Sequence, residues 1–380
     1  MIYFDNSATT QPYPDVLETA QTVAMNYFAN PSSAHPAGEA SSSLLEQARK
    51  QFGQLLGYQS QEIYFTASGT EANNWVFQAI LQQLKVIHPH KNKVLISAVE
   101  HPSITNQIPL LQQRGFEVIL LEVDGYGRLD VDKLEDHLAD DVLLLSTIAV
   151  NNEVGTLQPF KEIETLLTKY PQIIWHVDAV QAMTTQMELV KRSRIDLLTL
   201  SSHKFHGIRG LGVLAQRQRV EKGIWVYGGG QERGLRSGTE NLPAIVAGAK
   251  ALRMTQDEQI ETKAKLKTFQ EQIVQQFKAL NWEVFGYPYT AEHIIAVALP
   301  PLPGEVILNA FAEESLFVST TSACSSRKPS THHTLKAMGI PDAISKSTIR
   351  ISLASTNTLA EVEQLLLAIE RITQKLSAHK

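Results

Sequence analysis

Cysteine is almost missing from this chain: its 380 residues include one, Cys324. A single thiol excludes intramolecular disulfides, Cys-x-x-Cys redox pairs and an all-cysteine metal site within one chain. What it leaves is either a small buried hydrophobe or a reactive thiol. Long apolar runs are lacking as well, and none approaches the length that spans a bilayer. The start, Met1-Ile-Tyr-Phe-Asp-Asn6, has neither the basic residues nor the apolar stretch of a signal peptide. No basic block stands out and the formal net charge is −5, so nucleic-acid binding has no electrostatic footprint. The expectation is a soluble, cytoplasmic protein with neither a membrane nor a nucleic acid as partner.

What is present is a hydrophobic content of 43%, enough for a large core and more in keeping with two domains than one. Strands and helices alternate over more than half the chain. The strands read as continuous apolar runs, Val142–Val150 above all, which argues for a mostly parallel sheet covered on both faces. A helix is expected over about 41–56, another after Glu100-His101-Pro102-Ser103 running to Arg114-Gly115, and long helices from Pro243 to Leu280. Beyond about residue 256, strands at 294–299, 317–319 and 349–353 suggest a smaller α+β domain. The domain change is placed near residue 256, and the expectation is a large domain, 14–256, and a small one made of 1–13 and 257–380.

Polar residues gather just after several strands: Thr70, His101, Asn152, Asp178 with Gln181, and Ser201 with His203 and Lys204. In open α/β sheets, ligands bind outside the carboxyl ends of the strands, so one shared crevice explains the pattern. Ser68-Gly-Thr70 lies between a strand and a helix, a geometry whose free N–H groups bind phosphate. In isolation it reads rather as an ordinary helix start, with Ser68 or Thr70 as cap. Lys204 alone reads as a solvated loop amine. Taken with Asp178, His101, Gln181 and the phosphate-ready turn, it fits a cofactor with an aldehyde, a basic ring nitrogen, a ring hydroxyl and a phosphate. Pyridoxal phosphate has all four.

Those residues sit in motifs that are similar to the cysteine desulfurases, a branch of the class V aminotransferases. The motifs are Tyr3-Phe-Asp-Asn-Ser-Ala-Thr-Thr10, Asn30-Pro-Ser-Ser33, Thr66-Ala-Ser-Gly-Thr-Glu-Ala-Asn73, Glu100-His101 and Val150-Asn-Asn-Glu-Val-Gly155. His176-Val-Asp-Ala-Val-Gln181, Ser201-Ser-His-Lys204, Arg236-Ser-Gly-Thr239, Ser322-Ala-Cys324 and Ile349-Arg-Ile-Ser-Leu353 complete them. The resemblance implies an α/β enzyme of the type I pyridoxal-phosphate fold, a homodimer, acting on L-cysteine. By it, Lys204 carries the Schiff base, Asp178 pairs with the ring nitrogen, and His101 stacks on the ring and acts in acid–base steps. Gln181 and Asn152 hold the ring hydroxyl and substrate, and Gly69, Thr70, Ser201 and His203 hold the phosphate. Thr239 matches a residue that reaches the neighbouring subunit's cofactor, and Arg350 one that grips the substrate carboxylate.

The resemblance also assigns Cys324. Its setting, Ser319-Thr-Thr-Ser-Ala-Cys-Ser-Ser326 followed by Arg327 and Lys328, is polar and favours a thiolate. In the family this thiolate takes the substrate's sulfur as a persulfide, leaving alanine, and passes it to an acceptor protein such as an iron–sulfur scaffold or a sulfur carrier. The segment from Cys324 to Gly339 resembles the branch with a long cysteine loop. Thr320-Thr321, Ala354 and the placement of Pro329 and His332 depart from the family pattern, which bears on loop mobility, rate and partner choice. His332 and His333 lack supporting carboxylates, so no metal is expected. An aminotransferase or a selenocysteine lyase would need Lys204 and Asp178 but not Cys324. A non-catalytic scaffold would need none of them.

Overall fold

The structure, a computed structural model, describes residues 1–320 and 333–377. Among these, thirteen strands form three sheets. The largest has seven: β2 (Ile63–Thr66), β3 (Lys93–Ser97), β4 (Glu117–Leu121), β5 (Val142–Ile148), β6 (Ile174–Asp178), β7 (Leu197–Ser201) and β8 (Gly212–Gln216). Their order across the sheet is β2-β8-β7-β6-β5-β3-β4. All neighbours from β7 to β4 are parallel, and β8 is antiparallel to both β7 and β2. Every residue of β5, β6 and β7 is buried, which is why these segments read as unbroken apolar runs rather than alternating ones. Two hydrophobic clusters cover the sheet, one containing Phe52, Trp175 and Phe205, the other Trp75, Phe77 and Ile96.

Because β8 runs against both its neighbours, β2 points the same way as β7. The carboxyl ends of β2, β3, β5, β6 and β7 therefore lie along one edge. Gly212 stands at that edge, opposite both Thr66 and Ser201. A Cβ there would come within 2.3 Å of the Ser68 backbone, so only glycine lets the turn after β2 fold down onto the sheet.

A second sheet holds β9 (Glu283–Phe285), β10 (Ile294–Ala298), β12 (Ser319–Thr320) and β13 (Thr348–Ser352), all antiparallel, in the order β12-β13-β10-β9. Beside it β1 (Ile2–Tyr3) pairs in parallel with β11 (Leu316–Phe317). This part has its own core, in which Phe4 packs with Phe277, Phe311, Ile351 and Ile369. The amino-terminal segment thus belongs physically with strands more than 300 residues away.

Three local expectations need correction. The helix expected from Ser41 begins at Pro36, because Pro36 suits the first helical position and the His35 ring accepts from Gly38 N. The single helix expected after Ser103 starts earlier and is two, Pro102–Thr105 and Ile108–Gln113, broken near Pro109, whose missing N–H cannot continue the ladder. The strand expected at 317–319 splits into β11 and β12, which join different sheets.

Candidate active site

A cavity of about 220 Å³ opens at the shared edge of the large sheet. With the exception of Thr239, every residue expected to bind cofactor or substrate lines it. The polar strand ends do converge.

Gly69 opens the helix Gly69–Trp75, which continues through a π turn, Val76–Ile80, into Leu81–Ile87. Ser68 caps it by accepting from Glu71 N, leaving the first N–H groups directed outward. A Cβ on Gly69 would sit 2.9 Å from Val180 and 3.4 Å from Ser201 Cβ, so glycine is what lets the turn lie against the end of β7. Gly69, Thr70, Ser201 and His203 all line the cavity. Burial, with help from Lys204 and Arg209, lowers the His203 pKa to about 4, so it stands there as a neutral donor–acceptor. Its Nδ1 pairs with Thr9 Oγ1 at 3.2 Å.

Asp178 closes β6, and both carboxylate oxygens are fixed. Oδ2 accepts from Asn73 Nδ2 at 2.8 Å and Oδ1 from Val180 N at 3.0 Å. Asn73 also donates to Ser103 Oγ at 2.8 Å, and that hydroxyl pairs with His101 Nδ1 at 2.8 Å. One chain of hydrogen bonds therefore links the carboxylate to the imidazole. Burial pulls the His101 pKa down, Asp178 opposes this and Lys204 adds to it. Beside them Glu100 is driven well above the carboxylate range by burial and then by the charge of Asp178, so it stands as a neutral acid.

Lys204 follows β7 in a short 3-10 turn, Ser202–Lys204. Its Nζ donates to the carbonyls of Ser7 and Ala8, the latter at 3.0 Å. Gln181 Nε2 donates to the same Ser7 carbonyl at 2.9 Å. Residues 5–10 thus form a strap over the cavity, tied to the Lys204 turn again by Thr10, whose hydroxyl donates to His203 O at 3.0 Å and accepts from His206 N at 2.8 Å. From the second sheet, Arg350 in β13 reaches the same space, donating to Asn152 O at 2.7 Å.

Thr239 lies elsewhere. It lines a separate recess with Arg236, Glu240 and Asn241, beside the end of β2 at Phe65–Ala67. The loop carrying it is bound to the helix Gly69–Trp75 by Arg236, which pairs with Glu71, and to β2 and the helix before it by Glu232, which accepts from Phe65 N and Arg49. Cys324 and His332 lie outside the described residues. Among those described, no three His, Cys, Asp or Glu side chains form a metal-ligating group.

Several lining groups escaped the sequence reading. Asn73 carried a signal, since it falls four residues after Gly69 on the same helical face. Ser103, two residues past His101, carried one as a helix-cap neighbour. Ser7 and Ala8 act through carbonyls, which every residue has, and no pattern of side chains marks them.

A sequence profile described as Aminotransferase class-V matches residues 2–365. The chain belongs to the class V aminotransferases. Family members work with pyridoxal phosphate, and the cavity fits it: a cradle that a Cβ at Gly69 would fill, a fixed carboxylate and a lysine amine at one sheet edge. A protein of Lactobacillus delbrueckii subsp. bulgaricus named a NifS/IcsS protein homolog is 41% identical over 99% of this chain and 98% of its own length. A cysteine desulfurase IscS of Methanosarcina thermophila is 36% identical over 99% of this chain and 92% of its own. The solved structure of a NifS-like protein superposes with a TM-score of 0.91 at 31% identity, covering 99% of both chains. A NifS-like protein from Rickettsia africae gives 0.86 at 31%, covering 98% of this chain and 99% of its own. The type I fold with a mostly parallel central sheet is shared with these structures.

Proposed function

We propose that this chain is a cysteine desulfurase: it turns L-cysteine into L-alanine and takes the released sulfur onto Cys324 as a persulfide. One observation carries the reading, the convergence of Lys204, Asp178, His101, Asn152 and Arg350 on a single cavity. When bound, pyridoxal phosphate supplies an aldehyde for the substrate amine and an electron-withdrawing ring. Asp178, held on both oxygens, would keep the ring nitrogen protonated. Gly69, Thr70, Ser201 and His203 would anchor the phosphate, and His101 would lie against the ring. Gln181 and Asn152 would orient the ring hydroxyl and the substrate. Lys204 would join the aldehyde and afterwards move protons at the substrate's Cα. Arg350 would grip the α-carboxylate. The Cys324 thiolate would attack the substrate sulfur, forming S–S as C–S breaks.

The reading treats residues 14–256 as the cofactor-binding domain and 1–13 with 257–380 as the smaller one, which the two separate cores support. It also takes the protein as a homodimer. Thr239 is exposed and does not line the cavity of its own chain, which fits a residue that reaches a second subunit's cofactor. The sulfur would leave on an acceptor protein, an iron–sulfur scaffold or a sulfur carrier. A cytoplasmic setting suits a catalytic thiol that must stay reduced. Among the described residues no helix is long and apolar enough to cross a membrane.

The test is incubation with L-cysteine while alanine, sulfide and Cys324-bound sulfur are measured. Cys324→Ala is expected to abolish alanine formation in the absence of added thiol. Full-rate alanine from that variant would sink the desulfurase reading. Lys204→Ala is expected to remove the visible absorption band of the bound cofactor.

A further inference from the structure

The strap over the cavity brings a carboxylate to Arg350. Asp5 Oδ1 accepts from Arg350 Nη2 at 2.9 Å, while Nη1 donates to Asn152 O at 2.7 Å. Arg350 is only 3% exposed, and its Nε–H is buried without a hydrogen-bond partner among the described residues. A guanidinium is a rigid planar fork, so acceptors on both terminal nitrogens fix its plane and the direction of its remaining donors. Asp5 is well fixed itself. Its backbone bridges Ser352, two residues beyond Arg350 on β13, and its carbonyl accepts from the Tyr3 hydroxyl at 3.0 Å. Asn6 Nδ2 donates to Ser352 O at 3.0 Å, pinning the strap at the same point.

We propose that Asp5 is a positioning residue for the substrate: it holds the Arg350 guanidinium in the plane that receives the α-carboxylate of the amino acid. The proposal rests on Arg350 being the carboxylate-binding group. Asp5 does not line the cavity and acts only through the arginine. Without it, the fork would keep its charge but swing about the single anchor at Asn152 O, and the carboxylate would lose its paired geometry.

The experiment uses the cofactor-loaded protein and compares Asp5→Ala, Asp5→Asn and Arg350→Lys. Asp5→Ala is expected to raise KM for L-cysteine roughly tenfold, the loss of one hydrogen bond to a charged group, while kcat stays within about twofold. The inhibition constant of 3-mercaptopropionate, a carboxylate with no amine to react, is expected to rise in parallel. Asp5→Asn, which keeps an acceptor in place, is expected to restore both. If Asp5→Ala does not fold, Asp5→Ser, too short to reach Nη2, replaces it. An unchanged KM and inhibition constant in Asp5→Ala, or a lowered thermal midpoint with no change in either, overturns the proposal. Arg350→Lys separates the two readings: if it leaves both constants unchanged, the assignment of Arg350 fails as well. If it raises them and Asp5→Ala does not, only the role of Asp5 falls.

Discussion

Asp178 owes its fixed orientation to Asn73 as much as to the end of β6. Removing the Asn73 amide would strip one donor from a buried carboxylate and break the link to Ser103 and His101. A hydrogen bond to a buried charge is worth about 1.5–3 kcal/mol, so Asn73→Ala should weaken cofactor retention by roughly tenfold or more. Absorbance titration of the stripped protein with pyridoxal phosphate measures it, and an unchanged dissociation constant would show that Val180 N alone suffices. At this scale the sequence was legible wherever a side chain itself reaches the cavity, as at Lys204, Asp178 and His101. Supporting groups were harder to read. The Ser7 and Ala8 carbonyls meet Lys204 only because the strap crosses the cavity, and that crossing is a fact of tertiary structure.

Among the elements, the turn after β2 depends on two glycines of different kinds. A Cβ on Gly69 meets a Val180 methyl at 2.9 Å, whereas one on Gly212 meets Ser68 backbone at 2.3 Å. A side chain can rotate aside but backbone cannot. Gly212→Ala should therefore lower the thermal midpoint more than Gly69→Ala, while Gly69→Ala should chiefly lower affinity for the cofactor, through the displaced phosphate turn. Scanning calorimetry of both variants, with and without pyridoxal phosphate, checks the ranking. The apolar runs of β5 to β7 announced themselves because parallel strands buried on two faces must be apolar throughout. The π turn at Val76–Ile80 did not, since the apolar spacing from Trp75 to Leu84 suits a regular helix equally well. Nor did the splitting of 316–320 between two sheets, which distant pairing partners decide, β1 at the start of the chain for β11 and β13 for β12.

For the molecule as a whole, acid should be damaging in a defined way. His176, between Ser146 Oγ and Thr199 Oγ1, is buried and its pKa falls to about 3, and burial likewise takes His293 to about 3. The folded state binds fewer protons than the unfolded one at these sites. Their stabilising contribution is thus present above the ordinary histidine pKa, near 6.5, and is lost progressively as pH falls toward the folded values. Glu153 works in the opposite sense. Burial pushes its carboxyl up to about 7 against the pull of Thr334 and Arg350, so its contribution is full below the ordinary carboxylate pKa and is lost as pH rises through about 7. Thermal midpoints from pH 4 to 8 should rise between 4 and 6.5. His176→Gln should flatten the acid limb, and Glu153→Gln should remove a decline near neutrality. Identical pH profiles in all three proteins would refute this assignment.

The strap at residues 5–10 also sets a timetable. Its anchors, Ser352 and Asn357, lie about 350 positions further along the chain. As the ribosome delivers the sequence in order, the large sheet and Lys204 can be complete while the strap still waits for β13. Until then the strap has only its ties to the large domain, at His203, His206 and Gln181, and Arg350 has not yet been made. A nascent chain halted short of residue 350 should hold the β2–β8 sheet yet retain pyridoxal phosphate poorly. The cavity is finished by the closing of a loop of about 350 residues, so possession of the cofactor would certify that synthesis has passed β13.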